Sequence, residues 1–480
     1  MQKVVRDIDK NLENMESLLE GCDDIKHRNM RLGKKVVLKA CIYYVEVAVN
    51  NLTIEESVIG KLLTKLMDLE PEQQYEFLRE NALGITDVNE LETLEEAIMG
   101  IMVGDGVLFL DGYDRAIKIK SKGYPFMGVT QSDVEKVMRG SKEGFSDSVK
   151  CNTALIRKRI RNSQLKVKEK VLGRESNTTV ACVYMENKAR KSVLKEIDER
   201  LDKLPLSGIF DSGMIEKMTG EKGRSLFPAY QTTERPDTAA MAIMEGRVVL
   251  ISDNSPVALI FPSNLRHFFQ APDDYYTPTK FVSFIRCLRY IAGFLSMCLP
   301  ALYLSLVSFH TELFPPDFIF SMAAARQKIP YSPLVEMLFM ELAFELIREA
   351  GIRIPGPVGS AMGIVGGLII GQAAVNAALA SPIVVIVVAL TALSSFAIPN
   401  EQLVFSLRLM KYIMLFGAAW LGLYGIFLIL SVLVVYLSAK KSFGFPYLLP
   451  VVSDEINQFR DKQDYSLKEE QSIYQKKQQS

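Results

Sequence analysis

Five ionisable side chains interrupt an apolar stretch, LVEMLFMELAFELIREA (334–350): Glu336, Glu341, Glu345, Arg348 and Glu349. Glu341, Glu345 and Glu349 recur every fourth residue and so share one face of a helix. Carboxylates at membrane depth are costly; they face a water-filled cavity or a partner. One reading is an acidic lining for cations, with Glu336, Glu341 and Glu345 beside the pathway. The other is an amphipathic helix lying in the membrane interface, its acids in water and Arg348 paired. Arg348 and Glu349 at the helix end fit the second; Glu336 and Glu341 among Met and Phe fit the first. Both stay open.

The chain that follows, from Ile354 to Asn400, holds no Asp, Glu, Lys or Arg. As one helix it would run about 70 Å, against roughly 30 Å of hydrocarbon, so a break is required. Ser381-Pro382 supplies it, because proline lacks an N–H and disfavours helix in the residue before it. Two spans are expected, about 358–379 and 383–398. Gly359, Gly363, Gly367 and Gly371 fall every fourth residue along the first, a smooth ridge for close helix packing. Gln372 and Asn376 add amides on neighbouring turns. A helix surrounded by lipid needs none of these features.

Other chemistry is poorly supplied. Six cysteines form no CxxC pair and there are three histidines, so neither a metal set nor a disulfide frame is expected. No nucleophile with a nearby base and no phosphate loop is evident; an enzyme and a cofactor are not expected. Net charge is zero, which argues against nucleic acid. A basic run, Arg157 to Lys170, reads either as a patch for anionic headgroups or nucleic acid, or as a solvated face paired with acids. The N-terminus is charged and has no signal-peptide core, so the polar part is expected in the cytosol.

The elements that must position these residues are arranged by charge, which is dense to Arg289, sparse from Tyr290 to Ala439 and dense again from Asp454. The expected fold is α+β followed by an α-helical membrane protein. Residues 1–34 form a polar helix and linker, 35–130 a first small α/β unit and 131–270 a second. A polytopic helical membrane domain covers 281–450, and 454–480 is a disordered tail. Strands are expected at Val36–Val47 and Thr179–Tyr184, and around the Asp111-Gly112 and Asp253–Pro256 turns. Helices are expected at Thr53–Met67, Val88–Met102 and Lys191–Leu204. Full spans are expected at Tyr290–Phe309, kinked at Pro300, and at Tyr412–Leu437. Arg286, Arg289, Lys440 and Lys441 favour cytosolic N- and C-termini, although Arg408 and Lys411 then fall on the wrong side.

Several motifs together resemble the A subunits of the GerA family of bacterial spore germinant receptors. They are RGSKEGF (139–145), NTALIRKRI (152–160), ERPD (234–237), EGRVVLISDNSP (245–256), LPALY (299–303), ELAFELIREAG (341–351), GQAAV (371–375), SPIVVI (381–386) and SFGFPY (442–447). The resemblance runs from about 35 to 452. The family usually has a proline–arginine pair where this chain has Ser141-Lys142. Membership implies an integral protein of the spore inner membrane that acts with B and C subunits in nutrient-triggered germination. It also implies a homo-oligomer of A subunits that passes monovalent cations. A secondary transporter and a non-conducting scaffold are the alternatives.

Overall fold

A computed structural model describes residues 2–32, 38–49, 88–123, 135, 137, 139–220, 225–353 and 357–448. The expected helix at 53–67 and the tail at 454–480 lie outside the described residues.

Among the described residues two five-stranded antiparallel sheets form the polar half. The first contains β1 (Ile25–Leu32), β2 (Leu38–Val45), β3 (Val88–Leu91), β4 (Gly106–Leu110) and β5 (Ala116–Ile119), in the order β1-β2-β4-β5-β3. The second contains β6 (Leu165–Leu172), β7 (Thr178–Met185), β8 (Gln231–Thr233), β9 (Val248–Ser252) and β10 (Ala258–Phe261), in the order β6-β7-β9-β10-β8. Helices α1 (Ile8–Leu18) and α2 (Leu94–Val103) cover one face of the first sheet. In the second unit α3 (Val149–Arg159) and α6 (Pro236–Met244) cover the equivalent face. Its other face packs α4 (Lys191–Asp202) and α5 (Ser212–Thr219).

The two units repeat one plan. Each element of the first recurs 140 to 143 residues later, α1 as α3, the β1–β2 hairpin as β6–β7, and α2-β4-β5 as α6-β9-β10. The repetition reaches single hydrogen bonds. Asn11 Nδ2 donates to Val5 O at 2.6 Å, and Asn152 Nδ2 donates to Ser146 O at 2.6 Å. Asp111 Oδ1 accepts from Ile8 N at the start of α1, as Asp253 Oδ1 accepts from Val149 N at the start of α3. Gly104 and Gly246 end α2 and α6 at φ 94° and 92°, a conformation that side-chain-bearing residues rarely adopt.

Two expectations change here, and one open reading is favoured. Residues 25–32 are a strand, not a linker: β1 pairs with β2 over eight residues, so the expected boundary at 34–35 falls inside a hairpin. Residues 88–91 are β3, because the Thr93–Glu96 capping box starts the helix only at Leu94. The basic run belongs partly to β6, and five of its seven bases face acids, as the paired-face reading expects. Arg157 pairs with Asp24, Lys158 and Arg159 with Glu143, Lys166 with Glu186 and Lys170 with Asp202.

The apolar half contains α7 (Thr279–Ser308), α8 (Pro316–Arg326), α9 (Pro333–Arg353), α10 (Pro357–Asn376), α11 (Pro382–Phe396) and α12 (Glu401–Ala439). Met297, Cys298, Leu304, Met337, Val384, Leu403 and Met414 share its core. Among the described residues α7 and α12 are long and apolar enough to cross a membrane; α11 is shorter and apolar.

The expected single span at 412–437 is replaced by a hairpin. Gly422 has φ 62° and ψ −139° inside α12. Gly417 O lies against the position a Cβ on Gly425 would take, which a straight helix does not allow across two turns. The chain reverses, giving arms 401–421 and 423–439. Each arm is about 25–31 Å long, close to one hydrocarbon thickness, whereas a straight 39-residue helix would reach about 58 Å. The apex at Gly422 meets Phe309 and His310 at the far end of α7. Both feet of the hairpin return to the second sheet unit.

Candidate functional site

The first site is built on α9. Glu336 is fully buried; its Oε1 accepts from Ser381 N at 2.5 Å, at the start of α11, and its Oε2 faces Arg326 Nε at 3.5 Å. Glu341 is 1% exposed and accepts from Lys411 Nζ at 2.5 Å. Glu345 is half-buried, with Arg408 Nη1 at 3.2 Å and Lys411 Nζ at 3.5 Å. The numbering runs in opposite senses along α9 and the first arm of α12, so acids four apart meet bases three apart on facing turns. Lys411 lies ten residues from the foot of its arm and eleven from the apex, which puts the Glu341–Lys411 pair about halfway along.

Glu336, Glu341 and Glu345 are thus gathered on one helix, and each faces a base from another. Arg348 lies over the Phe396 ring at 5.4 Å. The arrangement matches neither an open acidic lining nor a helix lying flat in the interface. It is a buried ladder joining α9 to α8 and α12. Sequence reasoning passed over Arg326, Arg408 and Lys411 as partners. The signal was present: Arg408 and Lys411 are the two basic residues between Glu401 and Ala439, and they were awkward for topology.

The second site is α10. Gly371 packs against Val385 of α11, with 3.4 Å to its ideal Cβ, and Gly366 packs against Ile347 of α9. Among the described residues nothing lies within 4 Å of where a Cβ on Gly367 would stand. Side-chain surroundings at Gly359 and Gly363 lie outside the described residues. Gln372 and Asn376 are exposed, as are Ala373 and Ala377, so one side of α10 is covered and the other bare.

The third site is the junction between sheet and helices. Arg235, 1% exposed, grips Asp237 with Nε at 3.1 Å and Nη2 at 2.7 Å, and also donates to Ser141 O and Glu135 O. Tyr276 OH donates to Asp237 Oδ2 at 2.7 Å, and its ring lies 2.6 Å from where a Cβ on Gly140 would stand. Burial, then Asp237, pushes the Tyr276 hydroxyl up to about 12. Buried Asp274 holds Arg286 at 3.0 Å and Arg289 at 2.8 Å in the first turns of α7. A cavity of about 160 Å³ lies alongside, lined by Glu135, Gln231, His267, Gln270, Asp273 and Asn400. Burial pushes the Glu135 carboxyl up to about 7 and holds His267 well below its ordinary value.

The hairpin is tied to the same unit. Ser406 Oγ donates to Leu226 O, Gln402 Nε2 donates to Glu216 at 2.8 Å, and Lys440 Nζ donates to Ser225 Oγ and Phe227 O. Two short strands follow, β11 (Lys441–Ser442) and β12 (Phe445–Pro446). They insert Phe443 and Phe445 between the second sheet and α4. Phe443 stacks on Phe261 at 4.4 Å beneath Arg200, and Arg190 lies over Phe445.

The model of the Bacillus/Clostridium GerA spore germination protein family matches residues 13–475. The chain belongs to the GerA family. It is 40% identical to spore germination protein A1 of Bacillus subtilis over 364 residues, 76% of each chain. It is 35% identical to spore germination protein KA of the same organism, over 92% of this chain and 81% of that one. The solved N-terminal domain of the A subunit of the Bacillus megaterium spore germinant receptor GerK3 is 26% identical. That match has a TM-score of 0.44 and covers 54% of this chain and 96% of that one. In this GerA chain, RGSKEGF, ERPD and SFGFPY all build the junction. Ser141 and Glu143 there accept from Arg159 Nη2 at 3.0 and 2.7 Å.

Proposed function

We propose that this chain is the A-type subunit of a nutrient germinant receptor in the spore inner membrane, acting in germination with B- and C-type subunits. Copies of it surround a nutrient-gated pathway for monovalent cations. Six helical arms cross the membrane: α7, α9, α10, α11 and the two arms of α12. Arg286, Arg289, Lys440 and Lys441 flank them on the sheet side, which makes that side cytosolic.

The observation that carries this reading is the bare side of α10. The helix has no charged residue, yet leaves Gln372 and Asn376 exposed. Amides facing hydrocarbon are costly, so this side needs water or a second copy. The ladder on α9 has a different role: its acids are neutralised, so they brace α10 from behind. In spores, Gln372→Leu and Asn376→Leu are expected to slow or abolish nutrient-triggered potassium release. Wild-type release from both variants sinks the pathway reading. The purified chain in potassium-loaded liposomes separates the alternatives: coupled solute uptake indicates a transporter, and no flux in any oligomeric state indicates a scaffold.

A further inference from the structure

The sheet units, α7 and the α12 hairpin are locked into one body. Asp274 fixes the start of α7, and the segment 225–227 grips both feet of α12. The contacts of α9 with this body include, beside Met337 and Met340 in the shared apolar core, a row of buried ion pairs. Buried ion pairs are poor stabilisers: apolar residues of similar volume often serve as well or better. A ladder of them between two helices therefore calls for an explanation beyond stability. Its spacing supplies one. Glu341, Glu345 and Glu349 repeat every fourth residue on α9, and Lys411 already lies 2.5 Å from Glu341 and 3.5 Å from Glu345.

We infer that the ladder is a rack along which α9 steps by one helical turn relative to α12. The step carries α9 about 5.4 Å towards the Gly422 apex. Glu341–Lys411 and Glu345–Arg408 are then exchanged for Glu345–Lys411 and Glu349–Arg408. Both bases of α12 keep a partner, so the move leaves neither buried cation unpaired. Two groups hold the register seen here. Glu336 would leave Ser381 N and Arg326, and Glu341 would rise against the buried, apolar Met414 and Leu415. Because α10 packs on α9 through Gly366 and Ile347, the step drags the bare face of α10 with it. This last consequence rests on the pathway reading above; the step itself does not.

The logic predicts opposite effects from two similar substitutions. Glu341→Gln removes a charge that only the observed register pairs, and so favours the step. Glu349→Gln removes the carboxylate that Arg408 takes up in the stepped register, and so opposes it. The full chain in lipid nanodiscs, with Cys151 and Cys287 replaced by serine, carries spin labels at Leu346→Cys and Trp420→Cys. Both positions are exposed and lie outside the ladder. Glu341→Gln is expected to shorten the label distance by about 5 Å. Glu341→Gln with Glu349→Gln is expected to restore it, and Glu336→Gln to shorten it independently should the first variant fail to fold. An unchanged distance in Glu341→Gln and Glu336→Gln overturns the rack. Spores carrying Glu341→Gln are expected to leak potassium without nutrient. A shortened distance without leakage keeps the rack and overturns the pathway reading instead.

Discussion

At one backbone position of the repeated unit, the first copy has Thr93 and the second Arg235. Thr93 closes a capping box with Glu96 at its own helix start, and its backbone bridges Lys3 of the same unit. Arg235 is buried and ties three segments together, among them the connector into α7 through Asp237 and Tyr276. The same contrast recurs at Asp105, which faces Lys118 at 3.5 Å, and Arg247, which donates to Gln231, Pro262 and Ser263. The shared bonds of Asn11 and Asn152 fix the plan of the unit. The positions that differ show which copy is loaded: the second bears the helices, and there buried guanidinium groups replace local caps.

The contrast can be broken most directly at Arg235. Arg235→Met strands the buried Asp237 and is expected to cost about 3–5 kcal/mol, whereas Thr93→Ala costs about 1 kcal/mol. Chemical melts of the full chain in detergent measure both, and equal losses would undo the distinction. Phe443→Ala empties a site in the second unit only, at an expected cost of about 3 kcal/mol, somewhat below Arg235→Met. Amide exchange should rise in β8–β10 and stay unchanged in β1–β5; a rise in both would mean the units melt as one. Asn11→Ala and Asn152→Ala each remove the same pair of backbone bonds, Asn152→Ala also a bond from Ser146 Oγ, and each should cost about 1–3 kcal/mol. A difference above about 1 kcal/mol would show that the repeated bonds are not energetically equivalent.

The smallest effect is a slope. The carboxyl of Glu135 is raised from its ordinary 4.5 to about 7. The folded state therefore holds a proton that the unfolded state has lost, and stability falls as pH rises from about 4.5 to about 7. Glu135→Gln should flatten that part of the pH profile. An unaltered slope would assign it elsewhere in the junction.

Much of the polar half was legible. The β4–β5 and β9–β10 pairs announced themselves through Asp111-Gly112 and Asp253-Asn254, because turn residues at fixed offsets are local signals. β1 was missed because IKHRNMRL is an edge strand whose charges face water, and its pairing depends on β2. The repeat was missed for a related reason. It survives in topology and a few polar anchors, while most core positions exchange one apolar residue for another. In the apolar half, Glu336, Glu341 and Glu345 were identified as the chemistry of α9, and their partners were not. A helix face can be read from spacing, but the residue opposite it depends on a reversal at Gly422. Gly422 is one of three glycines in its apolar run, and nothing in the run tells which of them turns left-handed.

That reversal also determines what the chain reports about itself. Trp420, the sole tryptophan, stands two residues before the turn and is 84% exposed. Its emission colour is therefore a depth gauge for the hairpin tip. Blue-shifted light quenched by brominated lipid means a tip seated in acyl chains. Red-shifted light quenched by soluble iodide means a tip that has crossed into water.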